Sequence, residues 1–265
     1  MGAESEFDVD TGIEPAGDHV FRATVTDRWH TFAGPNGGYL LAICTRAVTS
    51  GLPFADPLAV SAHFLRPPKV GSAEIRTETV RVGRRHATAR ASLFQDDREI
   101  VHTIGTFTDL DAARGRTLLL GAPPDLPPPE EAVDPMQRAP EGLPRPSLAE
   151  RLEYRVAGPP GWLQGEPTGD PSSEFWLRFK DGRRADPLAL TFLVDSAPPA
   201  VLEIGEFASS TIELTVHVRA RPASEWLAFR QSTRYVVAGY HDEDVEIWDA
   251  DGTLVAQARQ IALLG

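Results

Sequence analysis

The apolar run LALTFLVDSAPPA, residues 188–200, contains one carboxylate, Asp195. Burying a carboxylate among such side chains is costly without a partner, so Asp195 has either a structural contact or a chemical role. A helix predicted to begin at Pro187 would place Asp195 in its third turn, near the negative end of the helix dipole. Apolar surroundings and that dipole both raise a carboxyl pKa, which suits a general base near neutral pH. The structural alternative is a helix-end Asp that accepts a hydrogen bond from a backbone N–H.

A second polar residue at a buried position is predicted in the last strand, residues 253–264. Side chains alternate between the two faces of a strand, so Gln260 falls on the same side as Ala258 and Ala262. A buried amide needs hydrogen-bond partners, and a carboxylate is a good one. Gln260 is therefore a candidate for orienting a carboxylate, with an edge-strand Gln facing solvent as the alternative.

A hydroxyl residue begins the strand that is predicted at 210–222. Strict alternation would place Thr211 with Glu213 on one face, and Ile212 with the apolar residues on the other. Thr211 is a candidate for holding a water molecule. The adjacent Ser210 would take the same role if the strand were shifted by one residue.

Composition excludes several classes of function. The chain has 265 residues, is 42% hydrophobic and carries a formal net charge of −12. Nonspecific nucleic-acid binding needs a basic surface, so no nucleic-acid partner is expected. No apolar run approaches the length of a membrane-spanning helix, and the acidic N-terminus lacks the features of a secretory signal. We therefore expect a cytoplasmic globular protein with no membrane partner.

No metal or cofactor site is expected. Cys44 is the only cysteine, which excludes an intrachain disulfide and a cysteine-based zinc site. It lies in an apolar stretch that is typical of a small buried residue. The histidines lack the spacing of metal ligands, and a phosphate-binding glycine loop of the Walker type is absent.

Helix and strand signals predict two similar halves. In the first half, residues 7–26 predict two short strands, and Asn36 caps a helix that opens at Gly37 and Gly38. In the second half, Asp186 caps a helix with a proline at its first position. The remaining strands are predicted at 58–67, 72–82, 86–94, 100–110, 148–158, 174–182, 210–222, 225–237, 241–252 and 253–264.

The order of strand, buried helix and antiparallel meander therefore occurs twice. A strand ending in Arg-Pro follows each helix, HFLRP at 63–67 and HVRARP at 217–222. Repetition of this size predicts a duplicated module. We predict an N-terminal module at 1–110 and a C-terminal module at 148–265. The Pro-rich acidic stretch 111–147 between them is predicted to be an extended linker that does not pack as an element.

Five stretches carry a family likeness through their order and spacing: GPNGGYLLA (34–42), SAHFLRP (61–67), LVDSAPPA (193–200), STIELTVHVRARP (210–222) and EIWDADGTLVAQARQIALL (246–264). Together they resemble the TesB-type acyl-CoA thioesterase family. The resemblance implies an α+β double hotdog, in which two antiparallel sheets each wrap around a central helix and join into one continuous sheet. It also implies that the chain hydrolyses an acyl-CoA thioester in fatty acid metabolism.

The resemblance also implies the catalytic residues. The family uses an Asp in the second-module helix, a Ser or Thr opening the next strand and a Gln in the last strand. These fall on Asp195, Thr211 and Gln260. Asp195 would take a proton from a water that Thr211 and Gln260 hold, while Gln260 also orients the carboxylate. A backbone N–H at the opening of the first helix would stabilise the oxyanion, and Gly37 and Gly38 would let the thioester carbonyl approach it.

Arginines near two turns of the first module are candidates for binding the phosphates of coenzyme A. Arg66 and Lys69 lie at one turn, Arg84 and Arg85 lie at the other, and we expect the four to cluster. Charges solvated at turns are the alternative. Asn36 is expected to complete the substrate-binding set with Gly37 and Gly38.

Two other functions stay open on the residues alone. His30 with Asp195 would resemble the pair used by a 3-hydroxyacyl-thioester dehydratase or hydratase, although the Gly-Asp-x-Asn-Pro run of hydratases is absent. A noncatalytic protein that binds acyl thioesters or lipids with the same fold is the other. The carrier is coenzyme A or an acyl carrier protein, and exposed sheet edges allow a homo-oligomer.

Overall fold

A computed structural model describes residues 5–138, 142 and 145–265 of the chain. The helices are α1 (Glu6–Asp10), α2 (Gly37–Thr49) and α3 (Pro187–Leu193). The strands are β1 (Glu14–Gly17), β2 (Val20–Val25), β3 (His30–Thr31), β4 (Gly34–Pro35), β5 (Asp56–Phe64), β6 (Gly71–Val82), β7 (His86–Gln95), β8 (Arg98–Thr108), β9 (Leu152–Arg155), β10 (Ser172–Phe179), β11 (Ser209–Val218), β12 (Leu227–Ser232), β13 (Val236–Val237), β14 (Tyr240–Asp249) and β15 (Leu254–Leu264). Within the described ranges, no helix is long and apolar enough to cross a membrane.

Within these residues, thirteen strands form one antiparallel sheet. Its order is β1-β2-β6-β7-β8-β5-β11-β15-β14-β12-β10-β9, with β13 paired to β14. The run β2-β6-β7-β8-β5 of the first half has the same connectivity as β10-β12-β14-β15-β11 of the second half. The two halves meet where β5 pairs with β11, for example Val60 with Val216. The sheet is therefore continuous across the chain, and the strand that follows each helix lies at its centre.

Helix α2 begins and packs as its sequence predicts. The Asn36 side chain accepts a hydrogen bond from the Tyr39 N–H, which satisfies one of the free donors of the first turn. The helix is buried on almost every side. On β7, Ala87, Ala89 and Ala91 are buried on one face, and α2 packs against this strand. Small side chains there let the helix lie close to the sheet.

Helix α3 begins as predicted but ends earlier. Asp186 caps the Ala189 N–H, and a proline occupies the first turn. The helix ends at Leu193 rather than near Pro198, because the Ser196 hydroxyl and N–H both bond to the Leu193 carbonyl and close a tight turn. Asp195 therefore lies in the turn after the helix, not in a third helical turn.

The start of α2 contacts the end of α3 closely. A Cβ atom on Gly38 would lie 2.7 Å from the Phe192 carbonyl oxygen and 2.9 Å from the Asp195 Cβ. Neither of these atoms is the end of a flexible side chain, so a larger residue at 38 would force the two segments apart. Gly38 therefore lets the two segments approach each other. The space that a side chain at position 38 would occupy is already filled by atoms of Phe192 and Asp195.

The N-terminal prediction is wrong in part. Residues 6–10 form α1 rather than a strand, because the Ser5 side chain caps the Asp8 N–H and Phe7 is fully buried. Phe7 contacts the rings of Trp29, Phe179 and Phe192. The short helix therefore ties both halves together, and the strand pair β1–β2 follows it.

The stretch 111–147, which is predicted to be an extended linker that does not pack as an element, contacts the second half at several points. The Trp176 indole N–H donates to the Pro127 carbonyl at 2.8 Å, and Val133 forms a β-bridge with Val156. Leu126 packs against the indoles of Trp176 and Trp248. These large apolar side chains on β10 and β14 supply the surface that holds the segment.

The division at 110 and 147 stays a prediction. Residues 139–141 and 143–144 of the predicted linker, and the first four residues of the predicted N-terminal module, lie outside the described residues.

Gly38→Ala tests the close contact of α2 with α3. Alanine favours a helix over glycine by about 1 kcal/mol at an open position, but here its Cβ would overlap the α3 backbone. We expect Gly38→Ala to lower the free energy of unfolding by about 1–3 kcal/mol, measured by urea denaturation. Gly51→Ala is the matched control, because the nearest atom to its Cβ lies 3.9 Å away. Equal stability of the two variants would contradict the account.

Candidate active site

Asp195 is held by the first half of the chain. Its Oδ2 atom accepts hydrogen bonds from the Gly38 N–H at 2.7 Å and from the Asn36 side-chain amide at 3.0 Å. The same Asn36 nitrogen lies 2.7 Å from the Asp195 carbonyl oxygen. Because Asn36 also caps α2, one side chain sets both the start of the helix and the position of the carboxylate. The two halves therefore build the site together.

The second carboxylate oxygen of Asp195 has a different environment. Among the described residues, Oδ1 accepts no hydrogen bond, and the side chain is partly exposed. Burial raises the pKa of Asp195 to about 6, while the donors from Gly38 and Asn36 act in the opposite direction. Asp195 is therefore ionised at neutral pH, with one oxygen fixed and the other available to take a proton.

Thr211, Gln260 and a third residue form a hydrogen-bonded chain. The Thr211 hydroxyl donates to Gln260 Oε1 at 2.9 Å, and Gln260 Nε2 donates to Glu243 Oε1 at 2.9 Å. The other oxygen of Glu243 accepts from the Ala200 N–H at 2.7 Å. Gln260 thus contacts a carboxylate, but the carboxylate is Glu243. The expectation that Gln260 orients Asp195 directly is wrong.

Sequence reasoning missed Glu243. It lies on β14 and is only 4% exposed, because it points inward with Val245 and Ile247. Burial raises the pKa of Glu243 to about 7. The hydrogen bond from the Ala200 N–H lowers this pKa, and the negative charge of Asp195 raises it. Alternation along YHDEDVEIW could have revealed it, since a Glu at an inward position of a strand is unusual.

A bulge in β11 turns Thr211 toward the interior. Thr211 pairs with Ala262, whereas Glu213 pairs with Ile261 and Leu214 with Gln260. Ile212 is therefore the extra residue, and it is exposed. The prediction that Thr211 shares a face with Glu213 is wrong, because a bulge re-aims the side chain that precedes it. Ser210 is exposed and pairs with Leu263 on the outer face, so the structure favours Thr211 over Ser210.

The segment between Asp195 and Ala200 is fixed at several points. The Tyr154 hydroxyl donates to the Ser196 carbonyl at 2.8 Å, and the Gln231 amide donates to the Pro198 carbonyl at 2.6 Å. Together with Glu243, these contacts join the Asp195 turn to the sheet that carries Gln260. The predicted burial of Gln260 beside alanines is confirmed, since it is 8% exposed.

Comparisons with known proteins agree with this arrangement. Residues 25–108 match the model of the acyl-CoA thioesterase N-terminal domain, and residues 123–264 match that of the acyl-CoA thioesterase C-terminal domain. The chain belongs to the TesB-type acyl-CoA thioesterase family.

Solved structures from this family and its relatives share the fold. A proposed thioesterase II from Thermobifida fusca YX is 29% identical, with a TM-score of 0.88 over 100% of this chain and 99% of its own. A hot dog protein of unknown function from Alicyclobacillus acidocaldarius gives 22% identity and 0.86 over 99% of both chains. Acyl-CoA thioesterase II TesB2 from Mycobacterium marinum gives 19% and 0.75 over 98% of both. The large antiparallel sheet with few helices is thus a hotdog fold, and the comparisons support acyl thioesterase activity.

The expected arginine cluster does not form in this TesB-type chain. Arg66 comes two residues after Phe64, the last residue of β5. Phe64 pairs with Val101 of β8, and Val101 pairs with Leu93 near the end of β7. Arg84 and Arg85 precede the start of β7, and ten residues of strand span about 33 Å. The prediction of one cluster is wrong, because the two turns lie at opposite ends of the sheet.

Only the Arg66 end is close to Asp195. The Phe64 ring would lie 2.7 Å from a Cβ on Gly37, and the same Cβ would lie 3.1 Å from Asp195 Oδ2. Arg66 is exposed and donates to the Glu99 carbonyl at 2.6 Å. Arg84 therefore cannot share a site with Arg66 and Asp195.

His30 lies in β3 and is not paired with Asp195. Its backbone N–H donates to the Ser147 hydroxyl at 3.3 Å. Within the described residues, no hydrogen bond joins the His30 ring to Asp195, and His30 Nε2 is buried without a partner. The His–Asp pair that a dehydratase of this fold would need is not formed.

Stability as a function of pH tests the environment of Asp195. Since the folded-state pKa is raised, the folded protein holds this proton more tightly, and stability falls as pH rises from 3.8 through about 6. We expect Asp195→Asn to increase the free energy of unfolding at pH 7.5 by about 1–3 kcal/mol. The gain should shrink as pH falls from 6 to about 4. Exposed Asp97→Asn is the control and should show no such gain; a pH-independent difference for Asp195→Asn would contradict the account.

Proposed function

We propose that the chain is an acyl-CoA thioesterase that releases the free acid and coenzyme A, with Asp195 as general base. The observation that carries the proposal is the asymmetry of the Asp195 carboxylate. Oδ2 is fixed by two donors, whereas Oδ1 accepts no hydrogen bond from the described residues. A base with a pKa of about 6 is ionised at neutral pH and still accepts a proton readily.

The proposed reaction is direct hydrolysis. Asp195 Oδ1 takes a proton from a water while the water oxygen attacks the thioester carbonyl carbon. The resulting tetrahedral oxyanion collapses, the carbon–sulfur bond breaks, and the proton on Asp195 passes to the leaving thiolate. Thr211 and Gln260, which lie on the sheet that holds the Asp195 turn, are proposed to position the water.

The oxyanion donor is proposed to be the Gly37 N–H. The Gly38 N–H already donates to Asp195 and is not free. Among the described residues, the Gly37 N–H has no acceptor, and it opens the buried helix α2, where backbone donors favour negative charge. The close contact of Phe64 with this glycine would form one wall for the acyl group.

Activity measurements on Asp195→Asn test the proposal. Wild-type kcat/KM for acyl-CoA hydrolysis should rise with pH, with a midpoint near 6 and a plateau above about 7, as ionisation of Asp195 requires. Asp195→Asn should lower kcat by about 100-fold or more and leave acyl-CoA binding nearly unchanged. The measurement is free-thiol release across a panel of acyl chain lengths, with acyl-CoA affinity determined by calorimetry.

Two results would count against this function. A wild-type protein that binds acyl-CoA but releases no thiol from any member of the panel would be a noncatalytic binding protein. Full activity of Asp195→Asn would remove the general base. Acyl carrier protein thioesters in the same panel decide the carrier.

Arg66 is proposed to contact a phosphate of coenzyme A, because it is an exposed arginine two residues after Phe64, whose ring lies against Gly37 beside Asp195. We expect Arg66→Ala to raise KM for acyl-CoA by about 3–10-fold with little change in kcat. Arg84→Ala is the matched control, an exposed turn arginine at the opposite end, and should leave KM unchanged. The difference should vanish with S-acyl pantetheine, which lacks the phosphates; an equal effect of both variants would contradict the assignment.

A further inference from the structure

Glu243 contacts Gln260 but takes no part in the proton transfers proposed for Asp195. It is a buried carboxylate, and it joins the Ala200 N–H, close to Asp195 in the chain, to the amide of Gln260. A carboxylate at a dry inward position is costly unless both oxygens are satisfied, and here both are. The Ala200 N–H uses only one oxygen of Glu243. The hydrogen bond from Gln260 to the other oxygen therefore needs a separate explanation.

The hydrogen bonds of this chain have one direction. A backbone N–H can only donate, so Glu243 Oε2 must accept from Ala200. Above its pKa of about 7, Glu243 is ionised and can only accept, so the group of Gln260 that faces Glu243 Oε1 is the NH₂ group. The amide oxygen then faces Thr211, and the Thr211 hydroxyl must donate to it. The lone pairs of the Thr211 oxygen are left free to accept a hydrogen bond from another molecule.

We propose that Glu243 is a positioning residue, which orients the Gln260 amide so that Thr211 accepts a hydrogen bond from the attacking water. The inference rests on the proposed thioesterase function. One proton of the water then bonds to the Thr211 oxygen, and the other proton of the water is free to pass to Asp195. Glu243 acts only through Gln260 and does not contact the substrate.

The substitution Glu243→Gln separates this role from a purely structural one. The amide oxygen of the new side chain would still accept from the Ala200 N–H, so the turn that carries Asp195 stays in place. Its NH₂ group would face the Gln260 NH₂ group, and two donors cannot bond. The Gln260 amide would therefore rotate, its nitrogen would donate to Thr211, and the Thr211 proton would point toward the water.

The test is the steady-state kinetics of Glu243→Gln with acyl-CoA at about pH 8.5, where Glu243 of the wild type is ionised. We expect kcat to fall by about tenfold or more with KM changed by less than about twofold. The melting temperature should stay within about 3 °C of the wild type. Asp242→Asn is the matched control, because Asp242 lies next to Glu243 and also accepts from backbone N–H groups, of Arg234 and Tyr235. It should keep wild-type kcat.

A double-mutant cycle with Thr211→Val tests the pathway of the effect. If Glu243 acts through the Thr211 hydroxyl, Glu243→Gln should lower kcat of the Thr211→Val protein by less than about threefold. Wild-type kcat in Glu243→Gln, or the same loss in both backgrounds, would overturn the proposal. Failure of the thioesterase function itself is recognised separately, since then the wild type releases no thiol.

Discussion

The carboxylate of Asp195 lies against the N-terminus of α2, and the arrangement of the site depends on that contact. Gly38 and Asn36 donate to one oxygen, which fixes the group and moderates the rise in pKa that burial causes. The contact requires α2 and α3 to approach so closely that position 38 has no room for a Cβ atom. Packing and chemistry are therefore set by the same few atoms, and neither half of the chain forms the site alone.

The duplicated topology has been used asymmetrically. The second half supplies Asp195, Thr211, Gln260 and Glu243, whereas the first supplies Asn36, the opening of α2 and the Phe64 ring beside it. Pairing of β5 with β11 brings these groups to the same end of the sheet. The bulge at Ile212 then turns the Thr211 hydroxyl inward, where it donates a hydrogen bond to the Gln260 amide oxygen. Arg66 lies at this end and Arg84 does not, so only Arg66 is proposed to contact coenzyme A.

Local signals in the sequence predicted much of this arrangement. The caps at Asn36 and Asp186, and the alternation around Gln260, depend on neighbouring residues and were read correctly. The features that were missed depend on residues far apart in the chain. Alternation cannot reveal a bulge, so it predicts the wrong face for Thr211. The end of α3 depends on the Ser196 hydroxyl, and the Gln260 partner comes from a strand whose inward Glu is recognised only once register is known.

The pH dependence of kcat/KM for Asn36→Asp tests whether the α2 N-terminus holds Asp195 as the base. Aspartate is as good a helix cap as asparagine, so α2 should form normally. It cannot donate to Asp195 at neutral pH, and it adds a like charge beside it. We expect the midpoint of the rise in kcat/KM to move from about 6 to at least about 7. A midpoint that stays near 6 in Asn36→Asp would contradict it.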